Sequence, residues 1–204
     1  AFAAEALFDR GYGSVETLLS DPEIDVVHIG TPHGTHHALA LEVLSAGKHV
    51  VVEKPIGLNR AEVADIRDTA RAAGLFAMEG MWMKFNRSYR RMLADVQSHV
   101  IGEPRSVRAS FGVPFPADVG SRWSAELGGS TLLDQGIYAV TIALDVFGTP
   151  TEIIARGRMR PDGVDLSEHV TLEFSDSRYA QIAASMVEFC ELTATVNGTR
   201  GWIA

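Results

Sequence analysis

The chain has 204 residues, 46% of them hydrophobic and 22% charged, with a net charge of -8. That is ordinary globular composition with room for one large domain or two small ones. The acidic balance argues against a nucleic-acid backbone binder, which normally carries a basic stripe, and no apolar run approaches the roughly 20 residues needed to cross a bilayer.

Cys190 is the single cysteine. A disulfide framework and a thiol metal cluster are therefore excluded, and a reducing, cytoplasmic setting fits best. The chain opens Ala1-Phe2-Ala3-Ala4-Glu5 without an initiator Met and enters a segment patterned as an amphipathic helix. Both ends read as cut, so the expectation is of a fragment. Gly11-Tyr12-Gly13 is a lone Gly-x-Gly with Glu16 where a third Gly is needed and no strand before it. It reads as a helix-to-helix turn rather than a phosphate loop.

From there strand and helix patterns alternate. Asp25 to Gly30 is β-rich and ends in Gly, Thr31-Pro32 breaks it, and His36 to Ala46 carries a helical apolar stripe that Gly47 stops. His49 to Glu53 is the next strand, ended by Pro55. Asn59 is the expected N-cap of a helix through Ala73, with Glu62 at its third position in capping-box fashion and Gly74 closing it. Leu75 to Glu79 reads as a third strand. This alternation is the mark of a parallel, doubly wound sheet.

After about Trp82 the rhythm changes. A helix over about Ser88 to Ser98 precedes a strand from Arg105 to Phe111, then an irregular stretch from Gly112 to Gly129, then a long helix from Ser130 to Phe147. At least three β patterns follow: Glu152 to Arg158, His169 to Phe174 and Tyr179 to Met186. Asp162-Gly163 and Asp176-Ser177 supply turn chemistry between them. The expectation is a first domain over 1–82 and an α+β domain with a mainly antiparallel sheet over 83–204.

Four places carry candidate chemistry. Glu53-Lys54-Pro55 lies at the carboxyl end of a parallel strand, where ligands bind in such sheets; a solvated strand end explains it equally well. Asp134 and Tyr138, four apart in a helix, share a face. Gly136 between them costs about 1 kcal/mol of helix propensity relative to Ala, which implies close packing or a cofactor. The glycines Gly128-Gly129 let a ligand approach the start of that helix. Taken alone, Tyr138 is as readily a core tyrosine. His33, His36 and His37 lack a second ligand group at metal spacing and read as a polar loop entering a helix. Trp82, Phe85, Phe115 and Trp123 can line a pocket, though isolated aromatics are more often core.

Together these pieces resemble the glucose–fructose oxidoreductase, inositol dehydrogenase and rhizopine-catabolism family (Gfo/Idh/MocA). The resemblance rests on Ile24 to Pro32 with His36 behind it, Ala46 to Pro55, Ile101-Gly102-Glu103-Pro104, and Gly128 to Tyr138. Tyr at position 138, with Glu79-Gly80-Met81-Trp82 and Arg122-Trp123, looks most like the dimeric dihydrodiol dehydrogenase and D-xylose dehydrogenase branch. Ser130 departs from the family in replacing a common third Gly, and Arg87 stands where Pro often follows Asn86.

The resemblance implies a Rossmann domain followed by a domain with a large, open, mainly antiparallel sheet, whose faces pair members into dimers or tetramers. It implies catalytic roles for Lys54 and Tyr138, and substrate contacts from Asp134 and Trp82. Cofactor contacts are implied for Gly30, Thr31, Pro32, His36, Glu53, Lys54, Arg122 and Trp123. The cofactor is NADP or NAD, with NADP favoured by the branch, and the substrate a sugar, polyol or trans-dihydrodiol. A tyrosine ordinarily titrates near 10, too high for a base at neutral pH, and a neighbouring ammonium favours the phenolate. That is the physical reason to want Lys54 with Tyr138. A sensing or regulatory protein with the same fold and no turnover is the alternative.

Overall fold

Strand β2 (His49–Glu53) is the central strand of a parallel sheet, with Val50 and Val52 on its buried face. In the computed structural model, which describes residues 8–204, β2 is flanked by β1 (Val26–Ile29) and β3 (Ala77–Gly80), with Val27 opposite Val50 and Val52 opposite Glu79. Val50 and Val52 have no exposed surface, which at about 2 kcal/mol each is a large share of the drive to form so small a sheet. Parallel strands need crossovers, and helices supply them. α1 (Val15–Leu19) precedes β1, α2 (His36–Ser45) joins β1 to β2, and α3 (Arg60–Ala73) joins β2 to β3. Ala40, Val43 and Leu44 of α2, with Ile66 and Ala70 of α3, close the core over Ile29.

The ends of these helices follow the sequence closely. The Asn59 side chain accepts from the Ala61 and Glu62 N–H groups, and Gly74 ends α3 in the left-handed region at φ 67. Glu62 reaches back one residue further than a capping box requires, accepting from the Leu58 N–H at 2.8 Å. The helix expected over the first residues lies outside the described residues. Residues 11–13 have no regular structure before the Ser14 N-cap of α1.

Residues 8–31 and 35–80 cluster as one compact unit; 32–34 and 81–204 cluster as the other. The second unit is built on a six-stranded sheet in the order β5-β6-β7-β4-β8-β9. Its strands are β4 (Pro104–Gly112), β5 (Glu152–Met159), β6 (Asp165–Phe174), β7 (Arg178–Ser185), β8 (Cys190–Gly198) and β9 (Trp202–Ile203). Every neighbouring pair is antiparallel except β4 with β7, so the mainly antiparallel expectation holds. α4 (Arg87–Gln97) and α5 (Ile137–Phe147) pack on this sheet, with Val96, Ala139, Ile142 and Ala143 against Val107, Leu172 and Ile182.

Two elements depart from the sequence reading. β6 begins at Asp165 instead of His169, and β8 was not read as a strand. Cys190 to Gly198 is Cys-Glu-Leu-Thr-Ala-Thr-Val-Asn-Gly, in which only Leu192 and Val196 are large and aliphatic, and Leu192 is 64% exposed. Periodicity finds strands by their buried face, and this one has little of it. The long helix also does not start as an α-helix: Leu132–Gly136 forms a π-helical turn before α5. Such turns are uncommon and concentrate at functional sites.

Candidate active site

In the first unit, the carboxyl edge of the sheet carries Gly30 and Thr31, both exposed, and Glu53 and Lys54, both half-buried. Three contacts fix this edge. The Glu53 carboxylate lies 3.3 Å from Nε2 of His28 on the neighbouring strand. Glu79 Oε1, from the end of β3, accepts from the Ile56 N–H at 3.0 Å and so holds the chain just after Lys54-Pro55; the peptide between those two residues is cis. His36 has no exposed surface, and its Nδ1 and Nε2 each lie 2.8 Å from a backbone carbonyl, those of Pro55 and Thr31. One imidazole thus ties the segment after β1 to the segment after β2. Direct cofactor contact, expected for His36 from the sequence, does not fit a ring enclosed on all sides. Its place is behind the edge it braces.

In the second unit, Tyr138 is half-buried at the start of α5. Its hydroxyl oxygen accepts from the Trp82 indole N–H at 3.0 Å. The Trp82 ring lies 6.0 Å away and the Phe111 ring of β4 lies 5.6 Å away, both tilted, as aromatic pairs prefer. These three rings, with Ile142, Leu192 and Thr193, line a cavity of about 360 Å³. Trp82 is 60% exposed, so its ring forms a wall open to solvent. Substrate contact at Trp82 and proton handling at Tyr138 are both compatible with that placement. Phe111 and the β8 residues were missed by the sequence reading, Phe111 because it ends an ordinary strand pattern and Leu192 because β8 was not recognised.

Asp134 is buried to 9% exposure inside the π-helical turn, and Arg122 Nε donates to its carboxylate at 2.5 Å. The Arg122 guanidinium also sits 4.4 Å from the centre of the Phe115 ring. Arg122 is therefore engaged with Asp134 and Phe115 in its own unit. Trp123 packs with Val164 and Met186 at 9% exposure, which makes it a core residue with little ring surface for a cofactor. Glycine at 129 also has a different reason from the one expected. A Cβ there would come within 2.4 Å of the Arg122 carbonyl, so the close approach is to the chain's own loop. His33, in the tripeptide 32–34 that clusters with this unit, lies with Nδ1 3.2 Å from the Gly128 carbonyl.

Gly136 sits directly against a buried carboxyl. A Cβ there would come within 2.8 Å of Glu168 Oε1 on β6. Glu168 is 7% exposed, and neither of its carboxyl oxygens has a hydrogen-bond partner. Burial first, then the nearby Asp165 carboxylate, push this carboxyl up to about 8. No sequence pattern singled it out, since Glu168 lies just before the strand expected from His169. Among the described residues, no group of three His, Cys, Asp or Glu is arranged to hold a metal ion. No helix among them is long and apolar enough to cross a membrane.

Comparison with known proteins agrees with this architecture. Residues 1–81 match the model of an oxidoreductase family with an NAD-binding Rossmann fold, and residues 89–204 match the GFO/IDH/MocA C-terminal domain. A trans-1,2-dihydrobenzene-1,2-diol dehydrogenase from Xenopus tropicalis is 35% identical over 204 residues, covering 99% of this chain and 62% of that protein. A 3-ketoreductase from Actinomadura kijaniata, solved with NADP and TDP-benzene, superposes with a TM-score of 0.88 at 28% identity, covering 97% of this chain and 61% of the other. A protein of gentamicin A biosynthesis, solved with NAD, gives 0.87 at 27% identity, covering 98% and 59%. The chain thus spans about three-fifths of the length of the relatives it matches. With both of its parts matched in order, the chain belongs to the GFO/IDH/MocA oxidoreductase family.

Proposed function

We propose that this chain is the larger part of an NAD(P)-dependent dehydrogenase that oxidises a secondary alcohol of the sugar, polyol or trans-dihydrodiol type, reversibly. The observation that carries this reading is Tyr138, a half-buried hydroxyl fixed by the Trp82 indole on the wall of an apolar cavity, in a chain of this family. The nicotinamide ring, when bound, supplies the hydride acceptor or donor. The protein's own work is to place the alcohol and move one proton. Tyr138 takes or gives that proton at its phenolic oxygen. The Phe111 ring covers the inner side of that phenol, and to Asp134, held by Arg122, we assign the orientation of a substrate hydroxyl.

The first unit fits the nicotinamide end of such a cofactor. Gly30 is exposed, and a Cβ there would meet nothing closer than the His28 ring at 3.8 Å, so the end of β1 is open to a flat ligand. We assign Gly30, Thr31, Pro32, Glu53 and Lys54 to that contact, with Lys54 supplying positive charge for the reacting oxygen. NADP is preferred over NAD on the likeness to dihydrodiol dehydrogenases. Self-association through the open sheet is part of the proposal. β5 is an edge strand exposed along its whole length, with Ile153 at 64% and Ile154 at 43%, and an uncovered sheet edge is able to pair with another chain.

The test is turnover by the full-length protein with NADP or NAD against a panel of aldoses, inositols and trans-dihydrodiols, followed by nicotinamide absorbance. Tyr138→Phe should lower kcat by about 10²–10⁴, the range for loss of a general acid or base. No turnover on any of these alcohols, or full activity in Tyr138→Phe, overturns the reading.

A further inference from the structure

The π-helical turn that carries Asp134 and leads into Tyr138 packs on strands β4, β6 and β7. β6 meets it at three points. The Asp165 carbonyl accepts from Thr131 Oγ1 at 2.9 Å, the Asp165 carboxylate accepts from the Leu132 N–H at 2.7 Å, and Glu168 lies under Gly136. The first two are satisfied pairs. The third is a carboxyl with 7% exposure and no hydrogen-bond partner for either oxygen.

An ionised carboxylate in that position would be strongly disfavoured, because nothing replaces the water it has lost. β5 places Gly157 opposite Glu168, with Arg156 and Arg158 paired to His169 and Ser167, whose side chains point to the other face, and the influences on the carboxyl are burial and Asp165, with no cation among them. Asp165 acts on Glu168 through its negative charge, which disfavours ionisation further. β7 presents Ala184 directly across the ladder, next to Ser185. From β8, Cys190 feels the Glu168 charge, and its thiol is itself pushed up by burial, by Glu188 and by Glu168. Arg122, the cation bound to the same turn, is committed to Asp134. The carboxyl therefore has a stable place only with its proton on.

We propose that Glu168 is a positioning residue for Tyr138: its uncharged carboxyl closes the underside of the π-helical turn, and its ionisation shifts that turn and loosens the Trp82–Tyr138 contact. The effect on turnover rests on the reading of Tyr138 as the proton-handling group; the effect on the turn does not. An ionised Glu168 repels Asp165 and demands water or a donor where Gly136 leaves no room. The turn is the element able to move, since the strand is held on both edges by β5 and β7.

The experiment follows two readouts of the full-length protein from about pH 6 to about pH 10. One is kcat. The other is the near-UV circular dichroism component that Trp82→Phe removes, which reports the Trp82–Tyr138 pair whether or not there is turnover. In the wild type, both should change with a midpoint near 8, kcat falling by about fivefold or more, equivalent to about 1 kcal/mol of lost transition-state stabilisation. Glu168→Gln, which keeps the shape and cannot ionise, should lose the transition in both. Gly136→Ala presses a methyl against the carboxyl and should displace the dichroism signal at every pH, which keeps the idea testable if Glu168→Gln folds poorly. A Glu168→Gln protein with the wild-type dichroism midpoint, or a Gly136→Ala protein with an unaltered signal, overturns the proposal. Absence of turnover alongside an intact dichroism transition counts against the dehydrogenase reading and supports the positioning role.

Discussion

The Trp82 indole N–H donates to the Tyr138 hydroxyl oxygen at 3.0 Å, and Phe111 packs against the same phenol with ring centres 5.6 Å apart. The phenol is thus held by a polar contact at its oxygen and by an aromatic contact at its ring. Trp82 reaches it from the segment just after β3, 56 residues away, and Phe111 from β4, 27 residues away, so the arrangement exists only in the folded chain.

Replacing Trp82 by Phe keeps a ring in the wall and removes the donor. We expect kcat to fall about fivefold, the equivalent of one hydrogen bond of about 1 kcal/mol, with the melting temperature little changed because Trp82 is 60% exposed. Steady-state kinetics beside a thermal melt separates the two effects. A wild-type kcat would remove Trp82 from the site.

Glu168 makes stability depend on pH in a definite direction. Its folded value is raised from 4.5 to about 8, so between those values the folded state holds a proton that the unfolded state has released. The stabilising contribution of the neutral form is fully present below about 4.5 and is lost as pH rises through about 8. Urea midpoints for the wild type should decline over that window and level off above it, by a few kcal/mol at about 1.4 kcal/mol per unit. The Glu168→Gln protein should lack this component of the decline.

His36→Leu removes the ring that ties the Thr31 and Pro55 carbonyls together. A loss of about 2 kcal/mol in urea unfolding is expected, the scale for a buried backbone acceptor left without a donor. A substitution that costs nothing would show that the two segments hold their places without the imidazole.

Arg122→Met leaves Asp134 with its carboxylate 11% exposed and without its guanidinium partner. Because the Arg122 side chain is itself 47% exposed, solvent screens the pair, and the cost should be about 1–2 kcal/mol. The double variant Arg122→Met with Asp134→Asn should recover part of that loss in a double-mutant cycle. Additivity of the two single changes would mean that the pair contributes no coupling.

Much of the architecture was legible in the sequence because it is written in local signals. Asn59, Gly74 and the apolar run His49 to Glu53 act through their own backbone and immediate neighbours, so their positions could be read before any tertiary contact was known. The same holds for Lys54 at a strand end and for the oddness of Gly136 inside a helix. What the sequence did not carry is anything that depends on one strand approaching another element. β8 lacks a continuous buried face, so alternation could not reveal it. His36, which read as part of a polar loop entering a helix, is a fully buried brace between two backbone segments, and Trp123 lies in a core cluster. Glycine at 136 signalled a close approach without saying what approached. Only the tertiary structure placed an unpaired carboxyl there, because burial and the lack of a donor are properties of the packed neighbourhood and not of the residue.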